Sequence, residues 1–295
     1  MLTNEIVVLN KTTLENFRRF INYDNKIAPT SAELYGYCLS KFGRWLGETG
    51  RTWGGVDKRI VVEYIDELKA QGLKNSSINS VMKSLKRSYK AAIDAGAAVE
   101  NPLDGLSYLR ESRSTKKRWL NESEARRVLR SIEGREGEVG ARDFAVVSLL
   151  LFSGLRASEA ANLRWSDIED GTINVKRGKG GLERSLELHP KAAAALERYA
   201  VYHRGEYILN TVPTARFLER NKMTRHSIYG VMVRVGRRLG MRLHPHQMRH
   251  SYASCALENG ANVVALAGAM GHADVSMVLN VYSHTDSRVA EFITF

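Results

Sequence analysis

Apolar residues recur at helical spacing along most of the chain, and the first third carries little else. A short helix is predicted from Thr12, with Glu15 three positions on as a capping partner and Leu14, Phe17 and Ile21 on its inner side. Thr30 and Glu33 repeat the capping pattern ahead of the stripe Leu34, Tyr37, Cys38, Phe42, Trp45 and Leu46, which Gly47 or Gly50 ends. A third helix starts after Asp57 and buries Val61, Tyr64, Ile65 and Leu68. A fourth, capped by Ser76 or Ser77, turns Ile78, Val81, Met82, Leu85, Tyr89, Ala92 and Ile93 inward and stops at Gly96.

Asn101-Pro102 closes this helical domain, residues 1–105. Residues 106–118 lack an apolar period and are predicted as an extended, basic interdomain linker. The second domain, residues 119–295, opens on a capping box, Asn121 to Glu124, before Ala125, Val128 and Leu129. Arg142 to Phe152 is apolar nearly all round, so it predicts a buried helix ended by Gly154, followed by a short helix from Ser158 to Leu163. Residues 171–175 and 184–188 alternate with period two about a glycine-rich turn at 178–181, the pattern of a hairpin. Thr224 to Leu239 is a patterned helix with Gly240 past its end. The fold class that follows is mainly α with a small antiparallel β-sheet, in two domains.

Charge changes the picture. The 295 residues hold 44 Lys+Arg against 32 Asp+Glu, a net +12 that points to a polyanionic partner, nucleic acid ahead of a membrane surface. Lys83, Lys86, Arg87 and Lys90 stand at helical spacing on the polar side of the fourth helix. Arg110, Arg113, Lys116, Lys117 and Arg118 crowd the linker. Either set is an ordinary solvated face or a phosphate-contacting surface. The longest apolar run is too short to span a bilayer and no signal-peptide core opens the chain, so a cytoplasmic protein is expected. Cys38 and Cys255, far apart in apolar helical patterns, read as buried small hydrophobes rather than a disulfide or a metal site.

Chemistry concentrates between Leu243 and His284. His246 and Arg249 stand three apart near the start of a helix, His272 follows Gly271, and Asp274 caps a short helix, 275–281, that presents Tyr282. Upstream, Arg156 sits in a turn between helices with Glu159 one turn on to orient it, and Lys179 lies on the hairpin turn. A phenol ionises near pH 10 and is a weak nucleophile unless cations and a base surround it. Arginine, unlike lysine, forks onto two phosphate oxygens. Singly, each of these residues is commonplace; as a set they suit phosphoryl transfer to a tyrosine.

Three boxes carry a resemblance: SGLRASEAANLRWSDI, VKRGKGGLERSLEL, and HPHQMRHSYA through GHADVSMVLNVYSH. Their order and spacing resemble the tyrosine recombinases, the phage-integrase and Xer-like strand-exchange enzymes, and residues 28–105 resemble that family's helical core-binding domain. The resemblance implies that Tyr282 attacks the scissile phosphodiester to leave a 3′-phosphotyrosyl bond. It implies that Arg156 and Arg249 hold the non-bridging oxygens, Lys179 protonates the leaving 5′ oxygen, His246 acts as acid or base, and His272 hydrogen-bonds the phosphate. Neither cofactor nor metal is implied. The implied partners are double-stranded DNA with inverted-repeat core sites, three further copies of the chain in a tetramer, and accessory DNA-bending proteins, with a nucleoid-associated location. The apolar tail, Val289, Phe292, Ile293 and Phe295, is expected to dock on a neighbouring subunit. Two alternatives stand beside recombination: relaxation of supercoils in the manner of a type IB topoisomerase, and a catalytically silent DNA-binding protein.

Overall fold

The computed structural model describes residues 15, 19, 21, 27–94, 98, 100–111, 119–176, 183–202, 205–213 and 219–271. The chain divides into two compact units, Met1–Thr115 and Lys116–Phe295. The helix expected from Thr12 lies outside the described residues except at Glu15, Arg19 and the buried Ile21, which are helical.

The first unit is built on α1 (Pro29–Glu48), α2 (Lys58–Ala70) and α3 (Asn75–Asp94). Helix α1 starts one residue before the expected Thr30, with Ala28 as N-cap and proline at its first position, where a fixed φ suits a helix start. Its inward face is also rotated from expectation: Leu34 and Tyr37 are exposed, whereas Leu39, Phe42 and Leu46 are fully buried. Spacing alone cannot choose between two overlapping apolar stripes; packing against α3 does. Helix α2 follows its pattern, with the Asp57 carboxylate accepting from the Ile60 amide at 3.0 Å and Val61, Tyr64, Ile65 and Leu68 buried. Helix α3 begins at Asn75, so Ser76 and Ser77 fall inside it rather than capping it. Its buried serines are satisfied along the helix: Ser84 donates to Ser80 O at 2.8 Å and Ser88 to Ser84 O at 2.7 Å.

The chain beyond Pro102 does not leave this unit at once. Leu103 is 1% exposed, and Leu106 and Leu109 pack on the same core. Asn79 on α3 accepts from the Leu109 amide at 2.8 Å and donates to the Leu109 carbonyl at 2.9 Å, while Asn75 donates to Arg110 O at 2.8 Å. The first part of the expected linker is therefore an extended strap bound to α3 by side-chain amides; residues 112–118 lie outside the described residues.

The second unit surrounds α5 (Gly137–Ser153), whose Ala145, Val146, Leu149 and Leu150 are fully buried. Helices α4 (Glu122–Glu133), α7 (Pro190–Ala200), α8 (Arg225–Leu239) and α9 (Pro245–Glu258) pack on it. Helix α6 (Ala157–Asn162) follows directly, and α10 (Val263–Met270) closes the described chain. The Asn121/Glu124 capping box forms as expected, and the helix expected from Thr224 starts at Arg225 with Thr224 as its N-cap. Three short strands, β1 (Ile168–Glu169), β2 (Thr172–Val175) and β3 (Arg184–Glu187), make an antiparallel sheet in that order, with Ile173 opposite Leu186 on its buried face. Strand β1 and helix α7 were not anticipated, one too short and the other too alanine-rich to show a clear period. Cys255 is exposed on α9, against expectation, whereas Cys38 is buried. Among the described residues no helix is long and apolar enough to cross a membrane.

Candidate active site

The site grows from two helix ends. Helix α5 runs to Ser153 and stops because Gly154 takes a left-handed conformation, φ +60°. That turn places buried Leu155 beneath it and leaves Arg156 as the N-cap of α6. Across from it, His244 caps α9 through Nδ1, which accepts from the Gln247 amide at 3.1 Å, and Pro245 takes the first helical position. One turn into α9, Arg249 is 2% exposed. Its helical spacing from His246 does not by itself fix its depth; burial of Met248 and the adjoining face carries it inside.

Three guanidiniums meet at the end of α10. Arg184 Nε donates to Ala269 O at 2.7 Å, Arg249 Nη2 donates to Met270 O, and Arg156 Nη2 donates to Gly271 O at 3.0 Å. Arg249 Nη1 also donates to Gly154 O at 2.6 Å, tying the two helix ends together. The last carbonyls of a helix lack intrahelical partners and carry partial negative charge, so cations belong there. Gly271 has φ +62°, and a Cβ on it would lie 2.9 Å from Arg184 Nη1, so both conformation and space demand glycine.

Glu159 joins two of the three arginines. Its Oε1 accepts from Arg156 Nη1 at 2.8 Å and Arg184 Nη1 at 3.2 Å; its Oε2 accepts from Arg184 Nη2 and the Arg156 amide, both at 2.8 Å. Burial pushes this carboxyl up, but the hydrogen bonds from Arg184 and from the Arg156 amide and side chain outweigh it and hold it at about 2. Among these described residues, the cluster thus carries three positive charges against one negative, which favours an anion.

Arg156 and Arg249 therefore converge on the carbonyls of Met270 and Gly271, the two residues that precede His272 in the sequence. His246 is exposed one turn before Arg249 and meets the buried His250 edge-on, with ring centroids 4.3 Å apart. Lys179, His272, Tyr282 and the apolar tail lie outside the described residues. Among the described residues no cluster of three or more His, Cys, Asp or Glu could hold a metal ion.

The basic row on α3 is partly engaged within its own unit. Lys86 pairs with Asp104 at 3.1 Å, Lys90 approaches Asp94 at 3.8 Å, and Lys83 sits over the Tyr108 ring at 5.3 Å. Arg87 is half-buried, Arg110 is exposed at the end of the strap, and Arg113, Lys116 and Lys117 lie outside the described residues.

Sequence reading missed Arg184. It shares the inward phase of β3 with buried Leu186, and a charge at an inward position of a period-two strand was the available signal.

The Phage integrase family profile matches residues 118–288, and the profile for the phage integrase N-terminal SAM-like domain matches residues 14–96. The chain belongs to the phage integrase family. Relatives of this integrase-family chain include tyrosine recombinase XerC of Pseudomonas aeruginosa, 27% identical over 286 residues, covering 94% of this chain and 91% of the relative. Tyrosine recombinase XerA of Pyrococcus furiosus is 27% identical over 284 residues, covering 95% and 92%. Among solved structures, a lambda integrase (75–356) dimer bound to a COC' core site overlays with a TM-score of 0.72 at 15% identity, covering 90% of this chain and 96% of that one. The Tn1549 transposon integrase in complex with circular intermediate DNA overlays at 0.70 and 21% identity, covering 95% and 97%. At these identities the overlays establish that the integrase fold is shared.

Proposed function

We propose that this chain is a site-specific DNA recombinase that cuts and rejoins DNA through a 3′-phosphotyrosyl intermediate. The observation that carries the reading is the meeting of Arg156 and Arg249 on adjacent carbonyls, directly before His272, in a chain of the phage integrase family. In the reaction, the Tyr282 oxygen attacks the scissile phosphorus and its proton passes to His246. The 5′ oxygen leaves with a proton from Lys179. Arg156 and Arg249 bind the non-bridging oxygens, where charge accumulates, and His272 donates a further hydrogen bond. Fixed cations in a dry site stabilise such a transition state by several kcal/mol. The phosphotyrosyl link conserves the bond, so a 5′-hydroxyl from a second duplex reverses the step with no energy source or metal.

The two units take the parts of core-binding and catalytic domains; of the expected linker 106–118, the strap up to 111 stays with the first unit and 112–118 joins the two. The partner is duplex DNA bearing inverted-repeat core sites, in the nucleoid, bound by four copies of the chain with accessory DNA-bending proteins. The basic residues Lys83, Lys86, Arg87, Lys90, Arg110, Arg113, Lys116 and Lys117 follow its phosphates.

The test uses duplexes selected by this protein from a random pool and nicked near the cut site, so that cleavage releases a short strand and traps the intermediate. A covalent adduct that forms with the wild type and is lost in Tyr282→Phe supports the reading. An adduct that persists in Tyr282→Phe, or none on any selected duplex, overturns it. Strand exchange between two duplexes separates recombination from relaxation of supercoils alone.

A further inference from the structure

Arg184 has no part in the reaction just described, yet it is more deeply buried than Arg156: its side chain is 8% exposed, against 25%. It spans three pieces of chain. From β3 it forks onto both oxygens of Glu159 on α6, and its Nε holds the Ala269 carbonyl at the end of α10. A deeply buried arginine whose donors meet both a carboxylate and a carbonyl is costly to desolvate, and its sharing of Glu159 with Arg156 calls for a reason.

The reason lies in what Glu159 does to Arg156. A carboxylate one helical turn away fixes the guanidinium in place but also cancels its charge, which is the property a phosphate needs. A second guanidinium on the same carboxylate divides that negative charge between two cations. We propose that Arg184 is a positioning residue for phosphate binding, holding Glu159 so that Arg156 is oriented without being neutralised and locking the end of α10 to the hairpin strand. The charged groups touching Glu159, among the described residues, are Arg156 beside it and Arg184 from β3; Arg249, from α9, serves the neighbouring carbonyls. This inference rests on the recombinase reading for its catalytic half, while its electrostatic half is open to measurement in the protein alone.

The experiment has two arms. In the first, ¹³C NMR follows the Glu159 carboxyl, assigned by its loss in Glu159→Gln. In the wild type it stays ionised down to about pH 3.5, well below the ordinary carboxylate midpoint. In Arg184→Met the midpoint moves up by about one unit or more, because burial is then opposed by Arg156 alone. An unmoved midpoint overturns the inference.

In the second arm, single-turnover cleavage of the nicked duplex slows by about 10- to 100-fold in Arg184→Met, the scale of a misplaced catalytic group. DNA affinity changes by less than about twofold, since Arg184 is one cation in a chain of net charge +12 and takes no phosphate contact of its own. Arg184→Lys restores part of the rate, because it returns the offsetting charge but not the fork onto Glu159 or the hold on Ala269 O. A wild-type rate in Arg184→Met, or no rescue by lysine, overturns the inference while the Tyr282 adduct leaves the recombinase reading standing. Absence of an adduct in the wild type sinks that reading and the catalytic half with it. Should Arg184→Met fail to fold, Arg184→Gln against Arg184→Lys makes the same comparison of charge.

Discussion

Arg156 and Arg249 donate to the carbonyls of consecutive residues, Gly271 and Met270. A carbonyl at a helix end orients a guanidinium while offering only a fraction of an elementary charge in return. These contacts fix both guanidiniums in place, and Arg156 also meets Glu159, the carboxylate it shares with Arg184. A phosphate oxygen, bearing a full charge, competes favourably for the same donors.

Arg249 holds two carbonyls and, in the proposed reaction, a phosphate oxygen, and two substitutions separate these parts. Arg249→Ala removes the partner of two buried carbonyls, Gly154 O and Met270 O, and is expected to cost about 2 kcal/mol or more in urea unfolding. Arg249→Lys keeps the charge but cannot span both carbonyls, so stability recovers only in part. Covalent adduct formation falls by about 100-fold or more in either variant. A lysine variant that cleaves at the wild-type rate would show that the fork is dispensable.

Glu159 gives a pH-dependent prediction. Its folded value is about 2 against an ordinary 4.5, so its contribution is complete above pH 4.5 and is lost as pH falls through about 2. That shift corresponds to about 3 kcal/mol. Glu159→Gln should therefore be less stable than the wild type by about that amount at neutral pH, with the gap closing only below pH 4.5. A gap that stays constant down to pH 3, or closes near pH 7, would contradict the assignment.

The helix pattern of this chain was legible because most helices carry both a cap and one apolar stripe: Asp57 and Val61, Asn121 and Val128, Thr224 and Ile228. Helix α1 misled because Leu34, Tyr37 and Cys38 compete with Leu39 and Phe42 for the inward face, and only the packed neighbour decides. At the site, the Arg156–Glu159 pairing could be read from their spacing of one turn. Arg184 could not be tied to Glu159 in the same way, because a strand and a helix far apart in sequence meet only through the fold. The burial of Arg249 likewise depends on Gly154 and Met270, which nothing near it in sequence announces.

Gly154 is a steric prediction at the same site. Its φ of +60° strains any other residue, and a Cβ there would lie 2.5 Å from Cδ1 of Tyr252. The left-handed backbone costs about 1 kcal/mol and the overlap about 1–3 more, so Gly154→Ala should lower the melting temperature clearly. Pairing it with Tyr252→Ala removes the overlap but not the strain. The double variant should be more stable than the sum of the single losses by about 1 kcal/mol or more. Additive losses would mean that the ring moves aside without cost.

Asn79 tests the strap in the first unit. It is 3% exposed and makes three hydrogen bonds beyond its own helix: with the Leu109 amide, the Leu109 carbonyl and, at 3.0 Å, the Glu111 carboxylate. Asn79→Ala leaves both Leu109 groups without that partner and should cost about 2 kcal/mol. Because the strap is an edge of the unit rather than its core, the loss should appear first as local opening. Hydrogen exchange at the Leu109 amide should accelerate by about the factor that 2 kcal/mol implies, some 30-fold, while amides of Leu85 and Ile65 exchange as before. Uniform acceleration across the unit would show that the strap is part of its cooperative core. Unchanged exchange at Leu109 would show that Leu106 and Leu109 hold it by packing alone.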